Sequence, residues 1–209
     1  MKRYPTRKLL GLVLLFSSLA SAADEPPVPP DEFVYCTVCH GVQLMGNPII
    51  KAPRLSGMDA WYVEQQMKNF KKGIRGVNPE DPYGYVMQPM AVPLTDAQIV
   101  AVAEFVEMTV SPAAEVTISG DVDSGKAHYS TCAACHGIDG KGNEALGGTD
   151  LTPLNDWYLV TQLENFKNGS RGGNPGDIYG MQMRAAVQLL TDDEAIRDVV
   201  SYISTLRND

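Results

Sequence analysis

Apolar residues recur at three- and four-residue spacing in two corresponding parts of this 209-residue chain: Ile99, Val102 and Val106, and later Ile196, Val199, Val200 and Ile203. That spacing lines them along one face of a helix, which must be turned toward a core. Each run follows a helix-start signal, Thr95-Asp96-Ala97-Gln98 or Thr191-Asp192-Asp193-Glu194, with the side-chain types of a capping box. Further helices are predicted from Trp61 to Lys72 and from Trp157 to Asn168, each closed by a glycine, Gly73 or Gly169. A shorter one, opened by an aspartate, is predicted from Asp123 to Thr131. Loops rich in Gly, Asn and Pro follow the tryptophan-led helices up to Met87 and Met183. The predicted fold is all-α, two domains of three or four short helices each.

The two domains are copies of one unit. A shift of 96 residues, with no gap, sets Gly41 on Gly137, Gly46-Asn47 on Gly142-Asn143, Trp61-Tyr62 on Trp157-Tyr158 and Gln66 on Gln162. Asn69-Phe70-Lys71 falls on Asn165-Phe166-Lys167, Arg75-Gly76 on Arg171-Gly172, and Met87 on Met183. Residues 23–110 and 121–209 are the two units, and 111–120, with Ser111-Pro112-Ala113-Ala114, is the linker. Pro29-Pro30 stands where the second unit has its leading helix, so the first unit's leading helix begins no earlier than about Asp31 and is shortened.

The amino terminus is different in kind. Lys2, Arg3, Arg7 and Lys8 precede an apolar run from Leu9 to Phe16 and the small residues Ala20 and Ala22, the pattern of a secretory signal peptide over residues 1–22 cleaved after Ala22. The apolar run is too short for a membrane anchor, which needs about 20 residues. A proline-rich tail, Ala23 to Pro30, follows. No later stretch is apolar enough to cross a membrane, so membrane association is at most peripheral and the mature chain is expected in the periplasm. The whole chain has 17 bases and 25 acids, a net charge of −8; loss of the signal peptide removes four bases and leaves −12. That balance argues against nucleic acid and anionic lipid as partners and favours basic docking surfaces on other proteins.

Cys36-Thr37-Val38-Cys39-His40 and Cys132-Ala133-Ala134-Cys135-His136 use all four cysteines, again 96 residues apart. A redox disulfide or half of a zinc site is the alternative reading of any one CxxC. Two cysteines followed at once by histidine are what covalent attachment of haem c needs: the thiols Cys36 and Cys39, or Cys132 and Cys135, bond one porphyrin, and His40 or His136 lies beneath its iron. Two such motifs call for two covalently attached haem c groups.

A six-coordinate iron needs a second axial ligand. His128 has no repeat partner and sits inside the leading helix of the second unit, where it reads as a solvated side chain. Met87 and Met183 each lie 47 residues after the haem histidine and eight before the capping threonine. Met90 is the rival in the first unit, but its counterpart is Ala186, so a scheme shared by both units selects Met87; Met181 is the rival of Met183. Met45, Met58, Met67 and Met108 read as adaptable packing. Histidine plus thioether stabilises the ferrous state and closes the coordination sphere, the chemistry of an outer-sphere electron carrier and not of an enzyme.

The paired CxxCH segments, the Trp-Tyr-x-x-x-Gln helix entry, the Phe-Lys-x-Gly-x-Arg-Gly loop and Met183-Arg184 leading into Leu190-Thr191-Asp192 together resemble the dihaem cytochrome c4 family of class I cytochromes c. The resemblance covers essentially the whole mature chain. It implies two class I domains meeting at a pseudo-twofold interface, thioether bonds at Cys36, Cys39, Cys132 and Cys135, and axial ligands His40, Met87, His136 and Met183. It implies electron flow from a cytochrome bc1 complex toward a terminal oxidase in the respiratory chain. Pro53 matches a family proline whose carbonyl orients the proximal histidine, but the repeat has Thr149 there, so a different partner is expected for His136. The shortened first helix leaves the first haem less shielded, and unequal reduction potentials are expected. Arg75 and Arg171 are candidates to pair with haem propionates; Trp61, Tyr62, Trp157 and Tyr158 read as packing.

The leading function is a mobile periplasmic electron carrier. The alternative is the electron-accepting subunit of a periplasmic dehydrogenase, such as one oxidising sulfide or thiosulfate, which needs a lasting hydrophobic docking face; the acidic sequence, in which no such patch is apparent, favours the carrier. A dihaem peroxidase would need an open iron, and matching methionines on both units argue against it. The acid excess predicts that reduction by a basic redox partner slows as salt is raised from about 10 mM toward 0.15 M, as the Debye length shrinks. Stopped-flow rates that ignore ionic strength would remove the idea.

Overall fold

Helices carry the whole architecture. The computed structural model describes Met1 and residues 33–208; the signal peptide expected over residues 1–22 and the proline-rich tail fall outside the described residues, Met1 apart. Among the described residues the chain forms α1 Val34–His40, α2 Ala60–Lys71, α3 Pro82–Ala91, α4 Asp96–Met108, α5 Val122–His136, α6 Asp156–Asn168, α7 Ile178–Val187 and α8 Asp193–Thr205. Short 3₁₀ turns occupy Glu144–Leu146 and Leu206–Asn208. These residues form no strand, only two isolated backbone bridges, Asn47 with Ala52 and Asn143 with Gly148, 96 residues apart. The fold is all-α, as the periodicity requires.

The helix starts follow local chemistry. Thr95 makes the complete capping box: its hydroxyl accepts from the Gln98 amide, and the Gln98 side chain accepts from the Thr95 amide. Its repeat does not. There Asp192 is the cap, accepting from the Ala195 amide at 2.9 Å, while Thr191 Oγ1 donates to the Asp192 carboxylate. In the first half Asp96 accepts from Lys71 at 3.0 Å, whereas the equivalent Lys167 donates to the Leu190 carbonyl at 2.7 Å, which leaves the Asp192 carboxylate to take the cap.

α2 packs on α3 and α4, and α6 packs on α7 and α8, so the repeat in sequence is a repeat in space. Ile99, Val102 and Val106, and Ile196, Val199, Val200 and Ile203, are all buried. Each such aliphatic side chain contributes about 1.5–3 kcal/mol by leaving water. The symmetry fails at the leading helix, which has seven residues in α1 and fifteen in α5. The longer helix runs along α8. Gly125 sits where the two cross, and a Cβ there would lie 2.0 Å from the Asp198 carbonyl oxygen. One turn on, Tyr129 packs against Tyr202 with ring centroids 5.3 Å apart and donates to the Gly137 carbonyl at 2.8 Å. The seven-residue α1 cannot cover its half in this way.

The stretch between the halves is extended but firmly held. Arg54 donates to the carbonyls of Ser111 and Pro112, and Arg207 to that of Ala114. Asp156, fully buried, accepts from the Thr117 hydroxyl at 2.8 Å, from the Ile118 amide at 2.7 Å and also from the Thr117 amide. Ala60 occupies the equivalent place in the first half, because only one strap exists to be held. Burial pushes the Asp156 carboxyl up, but the hydrogen bonds from Thr117, Ile118 and Trp157 outweigh it and leave it below the ordinary carboxylate value. A depressed folded value means its stabilisation is complete above the unfolded value, about 3.9, and is lost as pH falls through the lower folded value. Asp156→Ala is expected to cost about 3 kcal/mol at pH 7 and distinctly less near pH 3. Urea melts at the two pH values check this, and an equal loss at both would refute it.

Candidate haem sites

Each CxxCH ends a helix on its histidine. Gly41 and Gly137 follow at φ 81° and 76°, a conformation glycine adopts without strain, and the helix stops there. The chain then turns back, so that the His40 carbonyl accepts from the Gly46 amide and the His136 carbonyl from the Gly142 amide, at 2.9 and 2.8 Å. Cysteines three residues apart on a helix share a face. Cys36, Cys132 and Cys135 are half-buried and Cys39 is exposed, as the short first helix implies.

Both imidazoles are buried. His40 Nδ1 donates to the Pro53 carbonyl at 2.7 Å, and His136 Nδ1 donates to the Thr149 carbonyl at 2.8 Å. The expectation of a different partner for His136 is therefore corrected. The partner is a main-chain oxygen, present whichever side chain is attached. Thr149 turns its own hydroxyl away, to Asp59 at 3.0 Å. With Nδ1 fixed as the donor, Nε2 is the ring nitrogen left to bind a metal. Burial lowers both histidine values, with the carbonyl hydrogen bonds opposing it, and the net effect favours the neutral, ligating ring. Burial likewise pushes the Cys36 and Cys132 thiols up. Among the described residues no group of three or more His, Cys, Asp and Glu side chains is gathered to hold a metal ion, so the zinc reading finds no ligand set there.

A cavity of about 470 Å³ is lined by Cys36, Cys39, His40, Met87 and Met90, with apolar walls from Leu44, Leu55, Phe70 and Val102. A second, of about 100 Å³, is lined by Cys132, His136 and Met183, with Leu151, Leu159, Phe166 and Val199; Cys135 and Met181 are not part of its wall. Met87 and Met183 stand on α3 and α7 and not in loops, which corrects the reading of these segments. The Gly and Pro content that suggested loops is a helix start: Asp81 and Asp177 accept from the amides of Gly84 and Gly180 at 3.0 Å, with Pro82 in the first turn of α3. The glycine is needed because a Cβ there would lie 2.2 Å or 2.0 Å from the capping carboxylate. His128 is half-buried and lines neither cavity.

The two cavities share a wall. Arg75 and Arg171, both buried, do not stand in solvated loops. Arg75 donates through Nη1 to Gln66 at 2.9 Å and through Nη2 to Gln162 at 3.0 Å. Arg171 donates through Nη1 to Gln162 at 2.7 Å and through Nη2 to Gln66 and the Tyr62 hydroxyl, both at 3.0 Å. Beside them the Arg54 amide donates to Asn155 at 2.7 Å and the Asp150 amide to Asp59 at 2.9 Å. Every pair recurs with its partners exchanged by 96 residues, the signature of a twofold interface. Tyr62, Tyr158, Gln66 and Gln162 were matched in the repeat, but the tyrosines were read as packing. The missed signal was an amide kept at the same place in both copies of an otherwise apolar helix face.

The residues present fit haem c. Each half offers two thiols on a helix face, a neutral imidazole held by one nitrogen, a thioether along the same cavity, apolar walls, and an arginine whose buried Nε has no hydrogen-bond acceptor.

Comparison with known proteins agrees with this geometry. The Cytochrome c family model matches residues 33–109 and 122–207. A thiosulfate dehydrogenase electron acceptor of Stutzerimonas stutzeri is 30% identical over 212 residues, covering 92% of this chain and 91% of that protein. The cytochrome c4 of Stutzerimonas stutzeri is 29% identical over 211 residues, covering 94% and 96%. The solved cytochrome c4 structure from Acidithiobacillus ferrooxidans superposes with a TM-score of 0.64 at 26% identity, over 81% of this chain and 98% of that one. The duplicated CxxCH units, their all-helical setting and these likenesses converge: the chain belongs to the cytochrome c family, among the cytochromes c4.

Proposed function

We propose that this protein is a periplasmic carrier of single electrons with two haem c groups, and that it serves as the electron acceptor of a periplasmic dehydrogenase. Cys36 and Cys39 hold the first haem and Cys132 and Cys135 the second. His40 with Met87, and His136 with Met183, are the axial ligands. When bound, the haem supplies a one-electron couple, raised in potential by the thioether. The protein's own part is to exclude water with apolar walls, fix each imidazole through a backbone carbonyl, and keep both irons closed to substrate.

The observation that carries the reading is the convergence in each half of a CxxCH helix end and a methionine on one apolar cavity, with Gln66, Tyr62, Tyr158 and Gln162 lining both cavities. No described helix is long and apolar enough to cross a membrane, which accords with a protein that works in solution or at a membrane surface.

The choice of donor rests on the surface. Tyr35, Ile50, Tyr83, Val86 and Met90 line the first cavity and are 40, 48, 41, 62 and 39% exposed. Partly exposed apolar residues on the wall of the first cavity favour a docked acceptor over the bc1-to-oxidase shuttle. Their repeat partners are Thr131, Leu146, Tyr179, Gln182 and Ala186, of which Tyr179 lines the second cavity. Charge does not divide the halves: residues 23–110 carry eleven acids and six bases, residues 121–209 thirteen acids and seven bases. Both halves are acidic, so a basic docking surface suits either, and a donor with an apolar face suits the first. The thiosulfate dehydrogenase electron acceptor among the relatives supports this placement.

Two measurements test the proposal. Purified protein should hold two haems per chain, show thioether-ligated spectra and ignore carbon monoxide when reduced. Met87→Ala should open the first haem to the gas while Met90→Ala leaves it closed, and the reverse pattern would transfer the ligand role to Met90. Val86→Asp, at the apolar rim, should weaken docking of the donor dehydrogenase roughly tenfold, the effect of about 1.4 kcal/mol, with the spectra unchanged. An unaltered rate of reduction would remove the first cavity's mouth as the point of entry.

A further inference from the structure

Asp81, Thr95, Asp121, Asp177 and Asp192 each cap the helix they open, their side chains accepting from its first-turn amides. Asp59 and Asn155 stand at the same position before α2 and α6 and make no such bond. Aspartate and asparagine are among the best N-caps, so leaving the bond unmade costs stability. The first amide of α2 is met instead by Glu107 at 3.0 Å, and the Trp157 amide of α6 by Asp156 at 2.7 Å. Asp59 and Asn155 reach across the interface, and each ends on one peptide unit of the opposite half. Asn155 accepts from the Arg54 amide at 2.7 Å, and Asp59 accepts from the Asp150 amide at 2.9 Å. The carbonyls of those same two peptide units, Pro53 and Thr149, accept from His40 Nδ1 and His136 Nδ1 at 2.7 and 2.8 Å. A chain of two hydrogen bonds through one peptide therefore runs from each half into the buried imidazole of the other.

The two chains match in geometry and differ in charge. Asn155 ends the first with a neutral amide. Asp59 ends the second with a carboxylate, which accepts from the Thr149 hydroxyl as well, at 3.0 Å, and among the described residues forms no ion pair. The neighbouring repeat position differs in the same sense, with Arg54 in the first half and Asp150 in the second. The Arg54 guanidinium is drawn off to Ser56, Ser111 and Pro112, while the charge of Asp150 is felt at His136. A carboxylate is a stronger acceptor than an amide, and hydrogen bonds in series polarise one another. The Thr149 carbonyl therefore carries more negative charge than the Pro53 carbonyl and pulls harder on its Nδ1 proton.

We propose that Asp59 is a positioning residue for the opposite half: through the peptide joining Thr149 to Asp150, its carboxylate strengthens the hydrogen bond from His136 Nδ1, makes Nε2 a stronger donor to iron, and holds the second haem's reduction potential below the value that enclosure alone would set. Asn155 gives His40 the same geometry without the charge. The proposal rests on the reading that each cavity holds a haem c ligated by its histidine. A more basic imidazole favours the ferric state. The effect is delivered across the interface, so it exists only while the two halves are docked.

The test uses the full, haem-loaded protein. Haem content is measured first; fewer than two haems per chain in the unaltered protein would sink the parent reading. Asp59→Asn installs the residue that the first half uses, keeping an acceptor and removing the charge. Spectroelectrochemical titration should then show the second haem's electron affinity raised roughly threefold, the scale of polarisation passed along a hydrogen-bonded chain, with the first haem unmoved. Asn155→Asp should lower the affinity of the first haem and spare the second. The chain has only three histidines, so isotope-labelled histidine resolves the His136 Nδ1 proton by NMR in the reduced protein. That proton should move upfield in Asp59→Asn as its hydrogen bond weakens. Asp150→Asn removes a charge from the same loop without touching the hydrogen-bonded chain, and should shift the second midpoint while leaving the proton in place. A His136 Nδ1 proton unmoved in Asp59→Asn, or moved equally by Asp150→Asn, would overturn the role of Asp59 and leave the parent reading intact.

Discussion

One hydrogen bond sets the geometry around it in each half: a buried imidazole donating from Nδ1 to a main-chain carbonyl thirteen residues on. It fixes the tautomer, and so leaves Nε2 as the only ring nitrogen able to bind iron. For the carbonyl to arrive there, the helix must end on the histidine and the chain must reverse at once. Gly41 and Gly137 end it, and Gly46 and Gly142, donating back to the histidine carbonyls, close the return. A Cβ on Gly46 or Gly142 would lie within 2.6 Å of the strand of chain that brings the carbonyl home. Because the acceptor is backbone, Pro53 can become Thr149 without loss. The freed threonine side chain then ties the second half to Asp59 of the first.

Duplication explains the interface. A surface that pairs with its own copy needs residues that complement themselves, and the Tyr-x-x-x-Gln turn of α2 and α6 with the arginine that follows does so. Glutamine suits this place because its oxygen accepts from two donors and brings no charge of its own. Two carboxylates there would neutralise the arginines within the protein and leave nothing for the cavities. The neutral amides leave each Nε without a partner and tie the two cations together across the interface.

Much of this was legible in the sequence. The 96-residue register, the helical spacing of Ile196 to Ile203 and the CxxCH pairs depend on local chemistry and reappear as helix, core and cavity. What was not legible depends on side-chain geometry, some of it local and some between distant residues. Asp81 and Asp177 capping α3 and α7 look like loop residues until the glycine three places on is seen to make room for the carboxylate. The competition between Thr191 and Asp192 for one cap turns on where Lys167, back on α6, donates its hydrogen bond. Arg75 and Arg171 seemed set for solvent or a propionate; that their other ends are held across the interface requires the fold. The apolar rim of the first cavity is scattered over α1, the following loop and α3, and becomes a patch only when they meet.

The halves differ where the duplication has been broken, and the differences run in one direction. α1 lacks the turns with which α5 covers α8, Cys39 is exposed where Cys135 is half-buried, and the first cavity's mouth carries Val86 and Met90 where the second has Gln182 and Ala186. The second half holds the long helix pair and the strap bound to Asp156. A more enclosed haem pocket loses less of its dielectric insulation to water, which raises its potential relative to an open one. Lower potential at the open first half and higher potential at the shielded second half would make electron transfer from first to second downhill. The same truncation of α1 that opens the entry site would thereby give the pair its direction.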